Sequence, residues 1–138
     1  MNRILTSVVF VVLLFPSLAL GEEVTLDDLV KTDGLFYKKF TDVPFTGMVT
    51  GKEQGSFKKG KREGTWVLYY DNGRIRDKGD YKNGWKEGPW VDYHKNGQLN
   101  AKGDYWNGKK DGSWVFYNED GTVDEEYTGT YKNGVKVD

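Results

Sequence analysis

Residues 81–104 read YKNGWKEGPWVDYHKNGQLNAKGD, and this stretch decides the fold because the chain repeats it. The preceding copy, 57–80, reads FKKGKREGTWVLYYDNGRIRDKGD, and the following one begins at Tyr105 as YWNGKKDGSWVFYNEDGTV. Two columns mark a period of 24 residues: Trp66, Trp90 and Trp114, and Gly73, Gly97 and Gly121. A fixed period of this length is typical of stacked supersecondary units rather than of a conventional domain.

Each unit carries two turn signals. The first set is Asp71-Asn72-Gly73, Lys95-Asn96-Gly97 and Glu119-Asp120-Gly121. The second set is Lys82-Asn83-Gly84, Trp106-Asn107-Gly108 and Lys132-Asn133-Gly134. Asn-Gly and Asp-Gly tolerate the positive φ angles of type I′ hairpin turns. Two such turns per unit predict two antiparallel strands, at about 66–70 and 74–81 in the first full unit. The predicted fold is therefore all-β, an elongated antiparallel meander of repeated hairpins.

A comparison of the units with one another predicts which face of the sheet is apolar. Three columns stay the same or stay apolar: Val67/Val91/Val115, Tyr69/Tyr93/Tyr117 and Ile75/Leu99/Val123. Because side chains alternate between the two faces of a strand, we expect these columns to form one buried stripe. The residues expected to join it are Gly79, Gly103, Tyr81 and Tyr105, with each glycine leaving room for a neighbouring ring.

The positions between these columns vary from unit to unit, as a solvated face permits. Leu68 becomes Asp92 and then Phe116, while Tyr70 becomes His94 and then Asn118. Together with two further aromatic residues they form the predicted binding surface: Leu68, Tyr70, Trp85, Asp92, His94, Trp106, Phe116 and Asn118.

The Trp column has the parity of the variable face, and two interpretations stay open. Each Trp follows a glycine by two residues (Gly64, Gly88 and Gly112), so a β-bulge would turn the ring back toward the core. In the second interpretation, the three rings form an exposed aromatic ladder that binds a ligand.

The N-terminus predicts an export signal. Arg3 precedes an apolar run at 4–15, and small residues at Ala19 and Gly21 suit a signal peptidase, with cleavage between Gly21 and Glu22. The apolar run is too short for a spanning helix of ~20 residues. We therefore expect residues 1–21 to be a signal peptide and the mature chain to be periplasmic or extracellular.

The mature chain is expected to begin with a cap at 22–33 that contains a short helix. Thr25 and Asp28 resemble a capping box, and Leu26, Leu29 and Val30 make one apolar helical face. The hairpin repeats then fill 34–138, with an extra strand at 43–49. The last unit is two residues longer than the others, and the additional loop contains residues 124–126.

Composition excludes several classes of function. With 20 basic against 21 acidic residues, the chain has no general drive toward nucleic acid. Cys is absent and His94 is the single histidine, which leaves no basis for a thiolate or His metal site or for a Ser-His-Asp triad. The acids Asp80/Asp104 and Glu87/Asp111 repeat in similar surroundings, whereas a glycosidase needs two carboxyls in different ones. We predict no catalysis, metal, cofactor or small-molecule substrate.

The spacing Y-x-N-G-x-x-x-G-x-W-x-x-Y-x-x-N-G, at 81–97 and 105–121, resembles MORN repeats. More closely it is similar to the bacterial variant class grouped with YwqK-like antitoxins. The resemblance covers roughly 34–138 and implies a non-enzymatic sheet of β-hairpins used for protein or membrane contact.

Three functions are consistent with these observations. The leading hypothesis is an exported, non-enzymatic platform for protein–protein contact in the bacterial envelope. The second is a glycan or cell-wall binder that stacks sugars on Trp85, Trp106 and the Trp column. The third is an antitoxin or immunity-type partner, which would oppose a secreted or periplasmic toxin. The predicted partner is thus a protein, with a glycan or a membrane surface as alternatives.

Overall fold

The structure, a computed structural model, describes residues 23–138. The predicted signal peptide at 1–21 lies outside the described residues. The described part consists of a 3₁₀ turn and strands β1 to β11: 3₁₀ turn Leu26–Asp28, β1 Leu29–Thr32, β2 Leu35–Lys38, β3 Gly47–Val49, β4 Glu53–Lys58, β5 Lys61–Tyr69, β6 Ile75–Lys82, β7 Trp85–Tyr93, β8 Leu99–Trp106, β9 Lys109–Phe116, β10 Gly129–Lys132 and β11 Val135–Lys136.

Strands β3 to β11 form a nine-stranded antiparallel sheet in which each strand pairs with its neighbours in the chain. β1 and β2 form a separate two-stranded hairpin. This arrangement confirms the all-β meander with two strands per repeated unit. Both edge strands are short, three residues in β3 and two in β11, which limits pairing with another sheet. The strand expected at 43–49 is only Gly47–Val49, and Pro44 makes an isolated bridge to Tyr37.

The two sets of turns differ in geometry. In the second set both central residues have positive φ, as at Asn83 (φ 50°) and Gly84 (φ 85°), which confirms type I′ turns there. In the first set only the glycine does, as at Gly73 (φ 80°). The prediction of type I′ turns in the first set is therefore wrong. The Asn72 side chain accepts a hydrogen bond from the Arg74 amide and closes a wider loop on its own backbone.

One long edge of the sheet is formed by the type I′ turns, and we call it the turn edge. Its turns are at 59–60, 83–84, 107–108 and 133–134. Each turn after the first is bonded to the preceding hairpin, because the amides of Gly84, Gly108 and Gly134 donate to the carbonyls of Arg62, Lys86 and Lys110.

The N-terminal cap is a single 3₁₀ turn followed by a hairpin, so the expected helix of one or two turns is wrong. The Asp28 carboxylate accepts hydrogen bonds from the Thr25 amide and hydroxyl at 2.8 and 2.9 Å, as the capping-box pattern predicts. The helical turn nevertheless ends at Asp28, and β1 begins at Leu29, which is buried. Packing of Leu29 outweighs local helix preference because so short a helix is not stable alone. The boundary expected between 33 and 34 falls in the turn between β1 and β2.

The core lies on the face that carries the Trp column, which we call the inner face. Each indole lies over a glycine of the neighbouring strand, and a Cβ atom added to that glycine would be 2.3–2.4 Å from the ring. The buried tryptophans are Trp66, Trp90 and Trp114, and the glycines beneath them are Gly55, Gly79 and Gly103. The expectation that glycines make room for a ring is confirmed, with the Trp column supplying the rings.

The unchanged Val and Tyr columns lie on the opposite, outer face, so the predicted buried stripe is misplaced. Val67 pairs across the sheet with Lys78, and Trp66 pairs with Gly79. Gly79 and Tyr81 therefore share the inner face with Trp66. The Val and Tyr columns are half-buried on the other side. Identity from unit to unit does not by itself imply burial, because the register of the hairpin decides which face a residue occupies.

A chain of aromatic rings runs along the inner face and joins the cap to the repeats. Edge-to-face contacts link Phe57, Trp66, Tyr81, Trp90, Tyr105 and Trp114, with successive ring centroids 5.1–5.9 Å apart. Such contacts each contribute roughly 0.5–1.5 kcal/mol beyond burial. The cap enters this chain through Phe36, whose ring centroid is 4.9 Å from that of Phe57.

The predicted β-bulges are present. Gly79 pairs with Trp90 whereas Asp80 pairs with Glu87, so Gly88 and the residue after it have no partner on β6. Gly88 has a φ of 68°, a conformation that favours glycine. Similar register shifts occur between β4 and β5 and between β8 and β9. The ring of Trp90 faces the core because of its register with Gly79 rather than because the bulge reverses it.

Candidate interaction surface

The inner face contains three of the predicted contact residues. Leu68 is 6% exposed, and the Phe116 ring lies against Trp114 with their centroids 5.8 Å apart. Asp92 is half-buried in the same row of the sheet. The prediction of an exposed contact surface is therefore wrong for these positions, because their face is the packed one.

Three other predicted contact residues hold loops and hairpins together. The Tyr70 hydroxyl donates to the Tyr93 carbonyl oxygen at 2.7 Å, and His94 Nε2 lies 2.7 Å from the Tyr117 carbonyl oxygen in the next unit. Asn118, which is exposed, donates from Nδ2 to the Thr122 hydroxyl at 3.0 Å. Tyr70 and His94 thus serve the same structural purpose in successive units, although their chemistry differs.

The open question about the Trp column is answered by its burial. The three side chains are 0%, 1% and 1% exposed, so no face of any ring is available for a sugar. Each indole Nε1 donates to a backbone carbonyl of the preceding strand, to Ser56, Asp80 and Asp104, at 2.9–3.2 Å. The column is structural, and the exposed aromatic ladder is excluded.

Two tryptophans outside this column are exposed. Trp85 is 63% exposed and Trp106 is 62% exposed, and both flank type I′ turns on the turn edge. The array does not require an indole at either place, because other units carry different residues there. Lys61, Lys109 and Val135 are equivalent to Trp85, and Lys58, Lys82 and Lys132 are equivalent to Trp106.

The strands that carry these two indoles are tied to neighbouring turns. Trp85 lies against Gly108, where an added Cβ atom would be 2.6 Å from Trp85 Cε3. The Glu87 carboxylate accepts a hydrogen bond from the Asn107 amide at 3.0 Å, which joins β7 to the next turn. Trp106 pairs across its own hairpin with Lys109. Both indoles are therefore presented by ordered backbone rather than by long loops.

Charge on the outer face is sorted into two rows. The row at the turn edge combines the two indoles with five lysines: Lys58, Lys61, Lys82, Lys109 and Lys132. The next row inward is acidic: Glu63, Asp80, Glu87, Asp104 and Asp111. Like charges directly opposite one another cost about 0.2–1 kcal/mol, so this segregation is not optimal for stability.

A row of cations on the inner face was not expected from the sequence. The Arg62 guanidinium lies 4.6 Å from the Trp66 ring centroid, and the ammonium groups of Lys86 and Lys110 lie 3.9 and 4.8 Å from those of Trp90 and Trp114. Cation–π contacts of this kind contribute about 0.5–2 kcal/mol each. The available signal was a basic residue four positions before every Trp of the column.

A pair of carboxylates lies in the middle of the inner face. Asp77 and Asp92 are directly opposite one another on β6 and β7. Burial raises the pKa of Asp92, and the charge of Asp77 adds to this effect while Lys86 and Lys110 oppose it. Burial also lowers the pKa of Lys110 and raises the pKa of Tyr105 to about 12.

Two kinds of feature are absent from residues 23–138. No group of three or more His, Asp or Glu side chains there is arranged to hold a metal ion. None of the helical segments in that range has the length and apolar composition to cross a bilayer.

Comparison with known proteins identifies the repeats. Residues 62–83, 86–107 and 110–133 each match the family model described as the MORN repeat variant. Each match begins at an inner-face cation, Arg62, Lys86 or Lys110, and ends in a type I′ turn. The third match is the longest and contains the two added residues of the last unit. No curated protein matches the chain in sequence.

Proposed function

Starting from three consecutive MORN repeats of the variant type, we propose that this chain is an exported, non-enzymatic platform that binds a protein partner in the bacterial envelope. MORN repeats are often modules for contact with proteins or membrane surfaces. The binding surface in this proposal is the turn edge with Trp85 and Trp106, which replaces most of the surface expected from sequence.

The observation that supports this proposal most strongly is the exposure of Trp85 and Trp106. Both are more than 60% exposed at positions where the other units have Lys or Val. Trp is enriched among residues that dominate binding energy at protein interfaces. An indole held on an ordered hairpin loses little conformational freedom on binding, which favours affinity.

The proposal that the chain is not an enzyme rests on the regularity of its charged groups. The acids of the outer face recur in each unit in similar surroundings. Acid–base chemistry instead needs paired groups whose environments separate their pKa values. Asp77 and Asp92 are an exception to this regularity, but they lie among cations and rings of the packed inner face.

The proposal of export rests on the pattern of residues 1–21. Full-length chain with a C-terminal tag should be recovered from the envelope fraction or the medium, with Glu22 as its first residue by mass spectrometry. Deletion of residues 2–21 should leave it in the cytoplasm. Recovery of uncleaved full-length chain in the cytoplasm would contradict export.

Capture of proteins from an envelope extract tests whether the chain binds a protein partner. Immobilised residues 22–138 should retain one protein in stoichiometric amount, and Trp85→Lys with Trp106→Lys should abolish that retention. Lysine is the residue of equivalent units, so the double variant should stay folded. Lys95→Ala, which changes an exposed residue in the first set of turns and away from the turn edge, is the matched control and should retain the partner. Equal retention by the double variant would exclude the turn edge as the contact surface.

A glycan-binding function is a second candidate, favoured by the same two exposed indoles, since sugars pack on aromatic faces. Retention on insoluble cell wall that is lost in the double tryptophan variant would support it over a protein partner. An antitoxin or immunity-type function of the YwqK-like class is one form of the leading proposal. It requires that the captured protein be a toxin.

A further inference from the structure

A cleft of about 640 Å³ lies where the cap hairpin meets the first two type I′ turns of the turn edge. The backbone around it is fixed, because the Phe36 amide donates to the Gly60 carbonyl and the Gly60 amide donates to the Phe45 carbonyl. Its charged and aromatic lining consists of Lys31, Asp33, Phe36, Lys61, Arg62 and Tyr81, with Trp85 at the far side. Clefts of roughly 300–1,000 Å³ are the size at which proteins bind small molecules or short segments.

The cleft carries more positive than negative charge. Lys31, Lys61 and Arg62 face it with only Asp33 as a lining acid. From outside the lining, Glu53 pairs with Arg62 Nη2 at 2.7 Å and Glu63 accepts a hydrogen bond from the Asn83 amide at 2.9 Å. Lys31 and Lys61 are exposed, and an incoming anion would gain their charges without displacing an existing hydrogen bond.

Arg62 is the ordered cation of the cleft. Its guanidinium carbon lies 4.6 Å from the Trp66 ring centroid and 5.4 Å from that of Tyr81, so the group is held against two aromatic side chains. The contact from Nη1 to the Tyr81 hydroxyl is long, at 3.3 Å, and the buried Nε has no partner among residues 23–138, so these two donors are less committed than Nη2. The equivalent residues in the next units are Lys86 and Lys110. Arginine differs from lysine in offering a planar fork that matches a carboxylate.

We propose that this cleft binds the carboxylate of a Glu or Asp side chain in an extended segment of the protein partner, an inference that rests on the proposed function. Charge complementarity selects the acidic side chain, and the aromatic walls at Phe36 and Tyr81 accommodate its methylene groups. Trp85, at the far side of the same cleft, offers an exposed indole to an apolar residue of that segment. From β5, which carries Arg62, to β7, which carries Trp85, is two strand spacings, or about 10 Å. An extended segment covers that distance in about three residues, so the partner segment carries an apolar residue three positions from its acid.

The test uses residues 22–138, isotope-labelled for NMR, and capped hexapeptides. The first peptide has Glu at position one and Leu at position four, and the second has Gln in place of Glu. The Glu peptide should shift the amide signals of Gly60 and Gly84 and the Trp85 indole signal. Because charge–charge attraction is screened by salt, its affinity should fall severalfold when salt is raised from about 0.05 to 0.5 M. The Gln peptide should bind at least about tenfold more weakly, as expected for the loss of a charge-assisted hydrogen-bond pair.

Two matched variants test whether the Glu peptide binds in this cleft through Arg62. Arg62→Lys restores the residue of the other units and should weaken the Glu peptide about tenfold without unfolding the chain. Lys95→Gln, which changes an exposed residue in the first set of turns and away from the turn edge, should leave the affinity unchanged. Equal affinity for the Glu and Gln peptides, no effect of Arg62→Lys, or no saturable shift up to about 10 mM peptide would overturn the proposal.

The outcomes separate this inference from the proposed function. If the captured partner depends on the two exposed tryptophans but not on Arg62, the platform stands and the acidic anchor is wrong. If the Glu peptide binds through Arg62 while no protein is captured, the cleft binds carboxylates but its assignment to a protein partner is wrong.

Discussion

The buried and exposed tryptophans of this chain show how a repeat protein separates structure from recognition. Trp66, Trp90 and Trp114 recur at the period of the array and have essentially no exposed surface. Trp85 and Trp106 occur once each at their positions and are more than 60% exposed. Residues that every unit shares maintain the sheet, while residues that a single unit carries are free to serve a partner. Four changes test this distinction, in order of decreasing effect on stability.

Removal of a ring from the column should have the largest effect. Trp90→Ala should lower the free energy of unfolding by about 4 kcal/mol, the cost of deleting a fully buried indole and leaving a cavity. Urea unfolding followed by circular dichroism measures this change. Trp106→Ala is the matched control, and a similar loss of stability in both variants would mean that the exposed indole is structural too.

Addition of a methyl group beneath a ring should have the next largest effect. Gly103→Ala places a Cβ atom 2.3 Å from the Trp114 ring and should cost about 3 kcal/mol, because the indole must move off the strand. Gly88→Ala meets no atom within 4 Å but has a φ of 68°, and it should cost only about 1 kcal/mol through backbone strain. A larger loss in the free energy of unfolding for Gly88→Ala than for Gly103→Ala would contradict the importance of close packing between the indole and the strand.

Removal of the negative charge of Asp92 on the inner face should stabilise the fold. The pKa of Asp92 is raised in the folded protein, so the folded state binds more protons than the unfolded state between the unfolded pKa and the raised one. Stability from this group therefore decreases as pH rises through that window. Asp92→Asn should gain about 0.5 kcal/mol at neutral pH, the scale of a like-charge cross-strand pair, and should lose that advantage in acid. Thermal unfolding at several pH values measures it, with Asp42→Asn, at an exposed position outside the strands, as control. An advantage that grows in acid would contradict the assignment.

Substitution of an exposed indole should have the smallest effect on stability. Trp106→Lys installs the residue of equivalent units and should change the free energy of unfolding by less than about 0.5 kcal/mol. Urea unfolding measures this quantity, and capture of the partner measures recognition in the same sample. A variant that is stable but no longer captures the partner would support the distinction between structural and recognition tryptophans. An unstable variant would contradict it.

Much of the fold was predictable because its signals are local and repeated. The Asn-Gly pairs at 83–84, 107–108 and 133–134 form type I′ turns since both residues tolerate positive φ. The bulge glycines were predictable for the same reason. The 3₁₀ turn and hairpin of the cap were not, because β1 is stabilised by Leu29 packing on residues distant in sequence.

The face of the core was predicted wrongly although the sequence contains the needed register. Counting outward from the turn at Asn72–Gly73 places Trp66 opposite Gly79, which is the observed pair. The prediction instead equated unchanged residues with buried ones, and so placed Leu68 and Phe116 on the surface. The cation row at Arg62, Lys86 and Lys110 was missed because charged residues are not expected over a core, although long basic side chains can lie on aromatic rings.

Each strand of the long sheet bonds only to the strands that precede and follow it in the chain. Tandem duplication of one unit within the gene would therefore lengthen the protein without disturbing any existing contact elsewhere. If the new copy entered between Trp85 and Trp106, it would move the two indoles apart by about 10 Å. Evolution can thus change the distance between the two indoles in steps of one repeat unit.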